Sequence, residues 1–195
     1  MTDIPIEGLA LLDAIAVGES GGKADDAAYT ILYGGGHFTG YGAFPQWAGK
    51  DNSHAAGRYQ FEPATWAEAA AALKLPDFSP ASQDAGAWWL AQRDFKARSN
   101  DDLLTYLKSG MTLTVVATVL KQTWTSLSPV TLPSRYAAAL AARQPAPAPV
   151  PDPAPTPAPS SAISAAIAEL QHRRDGFTAQ IAKLDAAIAM LQSMG

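Results

Sequence analysis

Eight prolines occupy every second position from Pro145 to Pro159, and this run constrains the fold more than any other feature of the chain. Proline lacks a backbone N–H and fixes φ, so the run favours an extended polyproline II conformation at about 3.1 Å per residue, or roughly 46 Å in all. The sequence therefore predicts three parts: a compact domain over 1–144, a semi-rigid Pro/Ala linker over 145–159, and a separate segment over 160–195.

The first part is predicted to be mainly helical. Apolar residues make up 48% of the chain, which includes 5 Trp, 6 Tyr and 6 Phe, enough to bury a core. Periodic apolar residues, together with proline and cap signals, predict helices over 6–18, 63–73, 80–97, 101–109, 113–122 and 133–143. Two β-rich runs around Gly34, Gly35 and Gly36 predict a small hairpin over 29–41. The fold class that follows is α+β.

Composition excludes several classes of function. The net charge is −4, and no basic face for nucleic acid is indicated. The chain has no cysteine and three histidines without a metal-binding spacing, so we expect neither a metal site nor a cofactor. An acidic N-terminus and the lack of an apolar run of about 20 residues predict no export signal and no membrane span.

Glu19 is the strongest candidate for a chemical role. It closes the apolar helical run over 9–18 and is followed by Ser20, Gly21 and Gly22. A carboxyl group at a helix C-terminus faces the negative end of the helix dipole, which disfavours its ionised form and raises its pKa. Such a group suits general acid catalysis.

A second candidate segment is the turn from Ala56 to Phe61, in which Gln60 lies between aromatic residues. Its amide can both donate and accept hydrogen bonds, which suits an acetamido sugar, although a turn amide bonded to the backbone is an equally good interpretation. For Arg58 we favour a structural role, in which it holds an Asp or Glu of the loop.

Several short motifs lie between about residue 8 and residue 136. Each is weak alone, but their order and spacing together are specific. They are LLD at 11–13 with Glu19, YTILYGG at 29–35, FTGY at 38–41, AGRYQ at 56–60, DFSPASQD at 77–84 and WTSL at 124–127. Together they resemble the lambda-type phage endolysins, which are lytic transglycosylases with a lysozyme-like fold.

The resemblance implies an enzyme that cleaves the β-1,4 bond between N-acetylmuramic acid and N-acetylglucosamine in peptidoglycan. It implies Glu19 as the catalytic acid, a 1,6-anhydro product, and Gln60 as a residue of the glycan cleft. It also implies a protein made in the host cytoplasm without a signal peptide and acting on the periplasmic cell wall for host lysis.

Two other interpretations stay open at the level of sequence. One is a hydrolysing muramidase on the same scaffold, which would need a second carboxyl group about 5–9.5 Å from Glu19. Asp25, Asp26, Asp51 and Glu62 are the candidates, and none has a spacing that places it there. The other is a virion-associated wall-binding or structural protein.

Four further residues are predicted to bind the glycan. Aromatic rings can stack on sugar faces, and Tyr41, Tyr59 and Trp124 are the candidates, whereas Trp66, Trp88 and Trp89 lie in helical repeats and are assigned to the core. Ser126, in the WTSL motif, completes the predicted substrate-binding set.

The C-terminal segment carries a heptad pattern from Ile163 to Leu191, with Arg174 at one seam position. With Ile at most a positions and Leu at most d positions, the rule known for parallel pairs favours a dimer. The seam permits self-association, docking onto a virion or host protein, or contact with a membrane. Too few basic residues flank it for a membrane-surface helix, so the first two are favoured.

Overall fold

The structure, a computed structural model, describes residues 3–21, 25–144 and 161–192. Two compact units are present, Met1–Pro145 and Ala146–Gly195, and each is described by itself. The predicted polyproline linker lies outside the described residues, as do the side chains of the last helix beyond residue 182.

The described part of the first unit is helical for most of its length. Its helices are α1 (Ile6–Glu19), a 3-10 helix (Asp26–Thr30), α2 (Pro63–Leu73), α3 (Pro80–Ser99), α4 (Leu103–Lys108), α5 (Leu113–Leu120) and α6 (Leu132–Arg143). The six predicted α-helices are confirmed, and each end lies within two residues of its prediction.

Local signals explain where these helices begin and end. Pro63 and Pro80 open α2 and α3, where the missing N–H costs no helical hydrogen bond. The hydroxyl of Ser79 accepts a hydrogen bond from the Ser82 N–H, and the Asp102 carboxylate accepts one from Thr105 at the start of α4. A left-handed Asn100 terminates α3.

Helix α1 is the centre of the unit. It is apolar on nearly every face, a pattern typical of a helix enclosed by others, and Leu11, Leu12 and Ile15 are fully buried. Helix α6 packs along it, and α3 and α4 contact it as well. Because α1 is held on several sides, its C-terminal residue Glu19 has a well-defined position.

The predicted hairpin is largely absent. Tyr29 and Thr30, assigned to its first strand, lie in the 3-10 helix instead. What remains is a glycine turn closed by one antiparallel bridge between Ile31 and His37, with a further bridge from Leu32 to Ala56. The run is short, and the 3-10 helix buries the Tyr29 side chain, which a regular strand through Tyr29 would have to displace.

A cluster of aromatic rings supports this irregular region. The fully buried Phe78 lies at its centre, with ring centroids 4.6 Å from Trp66, 4.9 Å from Phe44 and 5.7 Å from Phe38. Contacts between rings supply the packing here that regular strands supply elsewhere. The cluster fixes the chain between the 3-10 helix and α2.

In the second unit the structure describes one long helix, α7 (Ser161–Gln192). Its apolar residues from Ile163 to Ile181 are solvent-exposed. Across the described ranges, no helix combines the length and the apolar character needed to span a bilayer.

Candidate active site

Glu19 is the last helical residue of α1. The backbone N–H and the hydroxyl of the buried Ser20 both donate to the Ala16 carbonyl, and Gly21 follows with a φ of +68°. A left-handed glycine after the final turn is a common helix terminator. The glycine stop predicted from the sequence therefore sets where the Glu19 carboxyl group projects.

The Glu19 carboxyl group is half-buried and is bound by one residue of a distant loop. The Ser126 hydroxyl donates to Glu19 Oε1 at 2.5 Å, and the Ser126 backbone amide donates to the same carboxyl group. Burial raises the pKa of Glu19, although both hydrogen bonds from Ser126 act to lower it. The direction of the shift is the one predicted, but its main physical cause is desolvation.

The loop between α5 and α6 brings Ser126 to Glu19. The Trp124 indole N–H donates to the Tyr59 carbonyl at 3.1 Å, and Leu127 is buried beside it. Gly18 allows the loop to approach α1, since a Cβ atom there would lie 2.5 Å from the Ser126 hydroxyl oxygen. The loop is therefore clamped on one side and closely packed against α1 on the other.

The Gly57–Phe61 segment accepts the hydrogen bond from Trp124 and is itself held in place by Gln83. Gly57 has a φ of +77°, and a Cβ atom there would lie 2.3 Å from Gln83 Oε1. Gln83 is fully buried, accepts a hydrogen bond from the Arg58 N–H, and donates to the Tyr29 and Phe78 carbonyls. One buried amide thus connects the turn to the 3-10 helix and to the aromatic cluster.

Gln60 lies in the same turn, with a φ of +49°. Its side-chain Nε2 donates to the Gly57 carbonyl at 2.9 Å, which is the structural role weighed against substrate binding. The side chain is half-buried and lines a small cavity of about 200 Å³ together with Trp124. Gln60 thus stabilises the turn and still borders open space.

Arg58 has a structural role, as predicted, but its partner comes from α1. The buried guanidinium donates to Asp13 Oδ1 at 2.7 Å and to the Tyr29 hydroxyl at 2.8 Å. Arg143 donates to both oxygens of the same carboxylate, to Oδ2 at 2.6 Å and to Oδ1 at 2.9 Å. Burial acts to raise the pKa of Asp13, but the hydrogen bonds from both arginines offset it, and the net pKa is lowered.

Asp84 completes the buried polar network. Its Oδ1 accepts hydrogen bonds from the Tyr59 hydroxyl at 2.6 Å and the Tyr29 hydroxyl at 2.8 Å. Burial raises the pKa of Asp84, and burial together with the Asp84 charge raises the pKa of Tyr29 to about 12. Both tyrosines therefore act as neutral donors at physiological pH.

The burial of two predicted stacking residues corrects their assignment. Tyr59 is 1% exposed with its hydroxyl on Asp84, and Trp124 is 3% exposed with its N–H on the Tyr59 carbonyl. Both residues border the cavity that Gln60 lines, but neither ring has enough exposed surface for a sugar to stack on it. Both belong to the scaffold that holds Ser126 and Gln60.

Tyr41 lies at the edge of the aromatic cluster. Its half-buried ring meets Phe38 edge-on with centroids 6.0 Å apart, and its carbonyl accepts a hydrogen bond from Phe78. Its hydrogen-bond and ring partners belong to a different part of the unit from those of Glu19 and Ser126.

The remaining candidate carboxylates have other surroundings. Glu62 accepts hydrogen bonds from the Ser53 hydroxyl at 2.6 Å and the His54 N–H at 3.3 Å. Asp25 and Asp26 border a surface cavity of about 610 Å³ that Arg135 also lines. Among the described residues, no group of three or more His, Asp or Glu is placed to hold a metal ion.

Sequence reasoning missed several residues that build this region. The contact of Ser126 with Glu19 and the Asp13, Asp84 and Arg143 network were not predicted. Asp13 did carry a signal, since a lone carboxylate inside an apolar helical run must find a buried partner. The pairing partners themselves lie 45 to 130 residues away and leave no local pattern.

Comparison with known proteins identifies the family and the fold of this chain. A profile of the endolysin family matches residues 9–137. The lysozyme of bacteriophage lambda, solved with a chitohexasaccharide, shares 26% identity over 71% of this chain and 97% of its own, with a TM-score of 0.61. A second structure of the lambda lysozyme also shares 26% identity, with a TM-score of 0.58, over 72% of this chain and 94% of its own.

No curated protein sequence matches the chain significantly. The family profile nevertheless spans about two thirds of the chain and includes Glu19, Gln60 and Ser126. The chain therefore belongs to the endolysin family, the phage enzymes that degrade peptidoglycan, and has the fold of the lambda lysozyme.

Proposed function

We propose that this endolysin is a lytic transglycosylase that cleaves the β-1,4 bond between N-acetylmuramic acid and N-acetylglucosamine. The observation that carries the proposal is the state of Glu19: a half-buried carboxyl group at the end of α1, with its pKa raised by burial. A group that retains its proton more tightly than in water can protonate the glycosidic oxygen as the bond breaks.

One carboxyl group then serves both steps. Glu19 donates its proton to the bridging oxygen, the C1–O bond breaks, and positive charge develops at C1 of the muramic acid. The C6 hydroxyl oxygen of the same sugar attacks C1 and passes its proton to the Glu19 carboxylate. The products are a 1,6-anhydro sugar and a free 4-hydroxyl, and no water is consumed.

The surroundings of Glu19 favour this route over hydrolysis. A hydrolysing glycosidase needs a second carboxyl group within about 9.5 Å to act as nucleophile or base. Among the described residues, the Glu19 carboxyl group is bound by Ser126, which cannot act as the acid or base that a second carboxylate would supply. Glu62 is held by Ser53 and His54, and Asp84 is held by two tyrosines.

Ser126, Gln60 and Tyr41 are the proposed glycan contacts. Ser126 is exposed and orients the Glu19 carboxyl group, so it lies next to the reacting bond. The Gln60 amide uses its N–H on the turn, and its carbonyl oxygen can accept a hydrogen bond from an acetamido N–H. Tyr41 is half-buried and lies further along the same irregular region.

Mass spectrometry of digested peptidoglycan tests the proposal. Transglycosylation yields muropeptides one water lighter than the reducing ends left by hydrolysis. Glu19→Gln keeps the shape of the side chain and removes its proton, so we expect activity to fall by about 10²–10⁴-fold with the fold intact.

Two matched variants serve as controls. Glu62→Gln and the exposed Glu68→Gln should both retain activity, since neither carboxylate takes part in this route. Reducing ends as the main product, or loss of activity in Glu62→Gln comparable to that in Glu19→Gln, would instead establish a two-carboxylate muramidase.

A further inference from the structure

The second unit carries an exposed apolar stripe along α7, and this stripe is independent of the catalytic proposal. Five large apolar side chains remain between 50 and 66% exposed: Ile163, Ile167, Leu170, Phe177 and Ile181. Their spacing alternates between four and three residues once Arg174 is included, and the sequence continues it at Leu184, Ile188 and Leu191. Such a seam is typical of a helix that pairs with another helix.

Arg174 decides which pairing the seam permits. It lies near the middle of the stripe, and its guanidinium contacts the adjacent Asp175 at 3.0 Å while staying largely exposed. In a parallel pair each seam residue faces its own copy, so two Arg174 cations would meet in one apolar layer. Bringing like charges together out of water is costly, and no acidic residue occupies a seam position to compensate.

An antiparallel pair removes this conflict. Each seam layer then combines an a residue of one helix with a d residue of the other, and Arg174 can face Phe177 of the second copy. A guanidinium over an aromatic ring is attractive, and the pair of layers is related by the dimer axis, so both arginines are accommodated.

The length of the helix selects the same register. When Arg174 faces Phe177 of the second copy, Leu170 faces Ile181 and Ile167 faces Leu184, and the overlap covers residues 161–190 of both copies of α7. Sliding Arg174 to Leu170 or to Leu184 of the other helix shortens the overlap. The register with the most apolar contact is thus also the one that places the cation on a ring.

The positions beside the seam agree with this orientation. In the antiparallel register, Arg173 flanks Gln180 of the other copy, and Gln171 flanks Thr178, so like charges do not face each other. We propose that α7 is a self-association surface whose partner is a second copy of the same helix, packed antiparallel about a dyad between Arg174 and Phe177.

Spin-label distances in the full chain test the orientation directly. The chain has no cysteine, so single labels at Ser164→Cys or Thr178→Cys report without further changes. In the proposed dimer, labels at residue 164 lie about 35 Å apart, at 1.5 Å of helix rise per residue. In a parallel dimer they would lie roughly 10–20 Å apart, since paired helix axes are 8–10 Å apart.

Labels at residue 178 lie near the dyad and should be close in either orientation, so they report association alone. A short distance at both sites would overturn the antiparallel arrangement. Absence of a dipolar signal at residue 178, with a sedimentation mass equal to the 20.4 kDa of one chain, would overturn self-association.

A pair of substitutions separates the seam from the rest of the helix. Phe177→Arg places a second cation against Arg174 of the other copy and should give a monomer, whereas His172→Arg, on the opposite face, should leave the dimer unchanged. Equal behaviour of the two variants would contradict the proposal. Cleavage of soluble glycan fragments should be the same for both, because neither residue belongs to the catalytic unit.

Discussion

Trp124 provides the sharpest test of how the site is held together. Its ring is almost fully buried, and its N–H donates to the Tyr59 carbonyl at 3.1 Å, which fixes the loop that carries Ser126 to Glu19. Trp124→Phe removes this hydrogen bond and the three extra ring atoms while keeping an aromatic side chain. We expect the variant to be less stable and less active.

The magnitude follows from two contributions. A buried carbonyl left without its donor costs about 1–3 kcal/mol. Loss of two buried carbon atoms adds about 1.6 kcal/mol at 0.8 kcal/mol each, for a total of about 3–5 kcal/mol. In a domain of this size that lowers Tm by about 10–20 °C. A typical stability of 5–15 kcal/mol leaves the variant folded at room temperature.

Trp66→Phe is the matched control, since it removes the same atoms from the aromatic cluster and leaves the loop clamp in place. Thermal unfolding should show a loss of about 2 kcal/mol for this control. At a temperature where both are folded, kcat/KM on peptidoglycan should fall about tenfold more in Trp124→Phe. If Trp124 instead stacked on the glycan, Trp124→Phe would weaken glycan binding while its Tm matched that of the control.

Three other changes have defined outcomes. Gly57→Ala should lower the free energy of unfolding in urea by well over about 2 kcal/mol, because its Cβ would lie 2.3 Å from Gln83 Oε1. Gly35→Ala, with open space around it, should cost only about 1–2 kcal/mol of backbone strain. Equal losses would contradict the packing argument. Ser126→Ala removes a hydrogen bond that lowers the pKa of Glu19, so that pKa should rise and the alkaline limb of the pH–rate profile should move to higher pH. An unchanged limb would show that the Ser126 hydroxyl does not affect the pKa of Glu19. Because burial raises the pKa of Glu19 on folding, its ionised form destabilises the fold above that pKa, and this cost disappears as pH falls below the unfolded value of 4.5. Glu19→Gln should therefore be more stable than the parent at pH 7 and equal to it near pH 3. A pH-independent difference in unfolding free energy would refute the sign of this effect.

The two mistaken stacking assignments have a common origin. Tyr59 and Trp124 lie in short motifs surrounded by small and polar residues, a context that suits an exposed binding ring as well as a buried one. The structure buries both because Asp84 and the Tyr59 carbonyl satisfy their polar atoms inside the unit. A buried ring with a polar tip needs such a partner, and nothing in the neighbouring sequence shows whether one exists.

The hairpin shows the same limit for backbone structure. Glycines at 34–36 correctly predicted a turn, since Gly34 and Gly35 have φ of +92° and +98°. The residues before it have high strand propensity, yet Tyr29 lies in a 3-10 helix because its hydroxyl must reach Asp84 and Arg58. Tertiary hydrogen bonds outweigh a local propensity worth less than about 1 kcal/mol per residue.

Features of the fold that depend on near neighbours follow from the amino-acid sequence alone. Apolar periodicity, proline at first turns and cap residues act within four positions, so the six α-helices and the helix stop after Glu19 could be predicted closely. The residue that faces Glu19 is known only from the folded unit, because Ser126 is 107 residues away and reaches it through a loop clamped by Trp124. Burial of that carboxyl group is likewise a property of the packed unit, since desolvation depends on every element around it rather than on the helix that carries it.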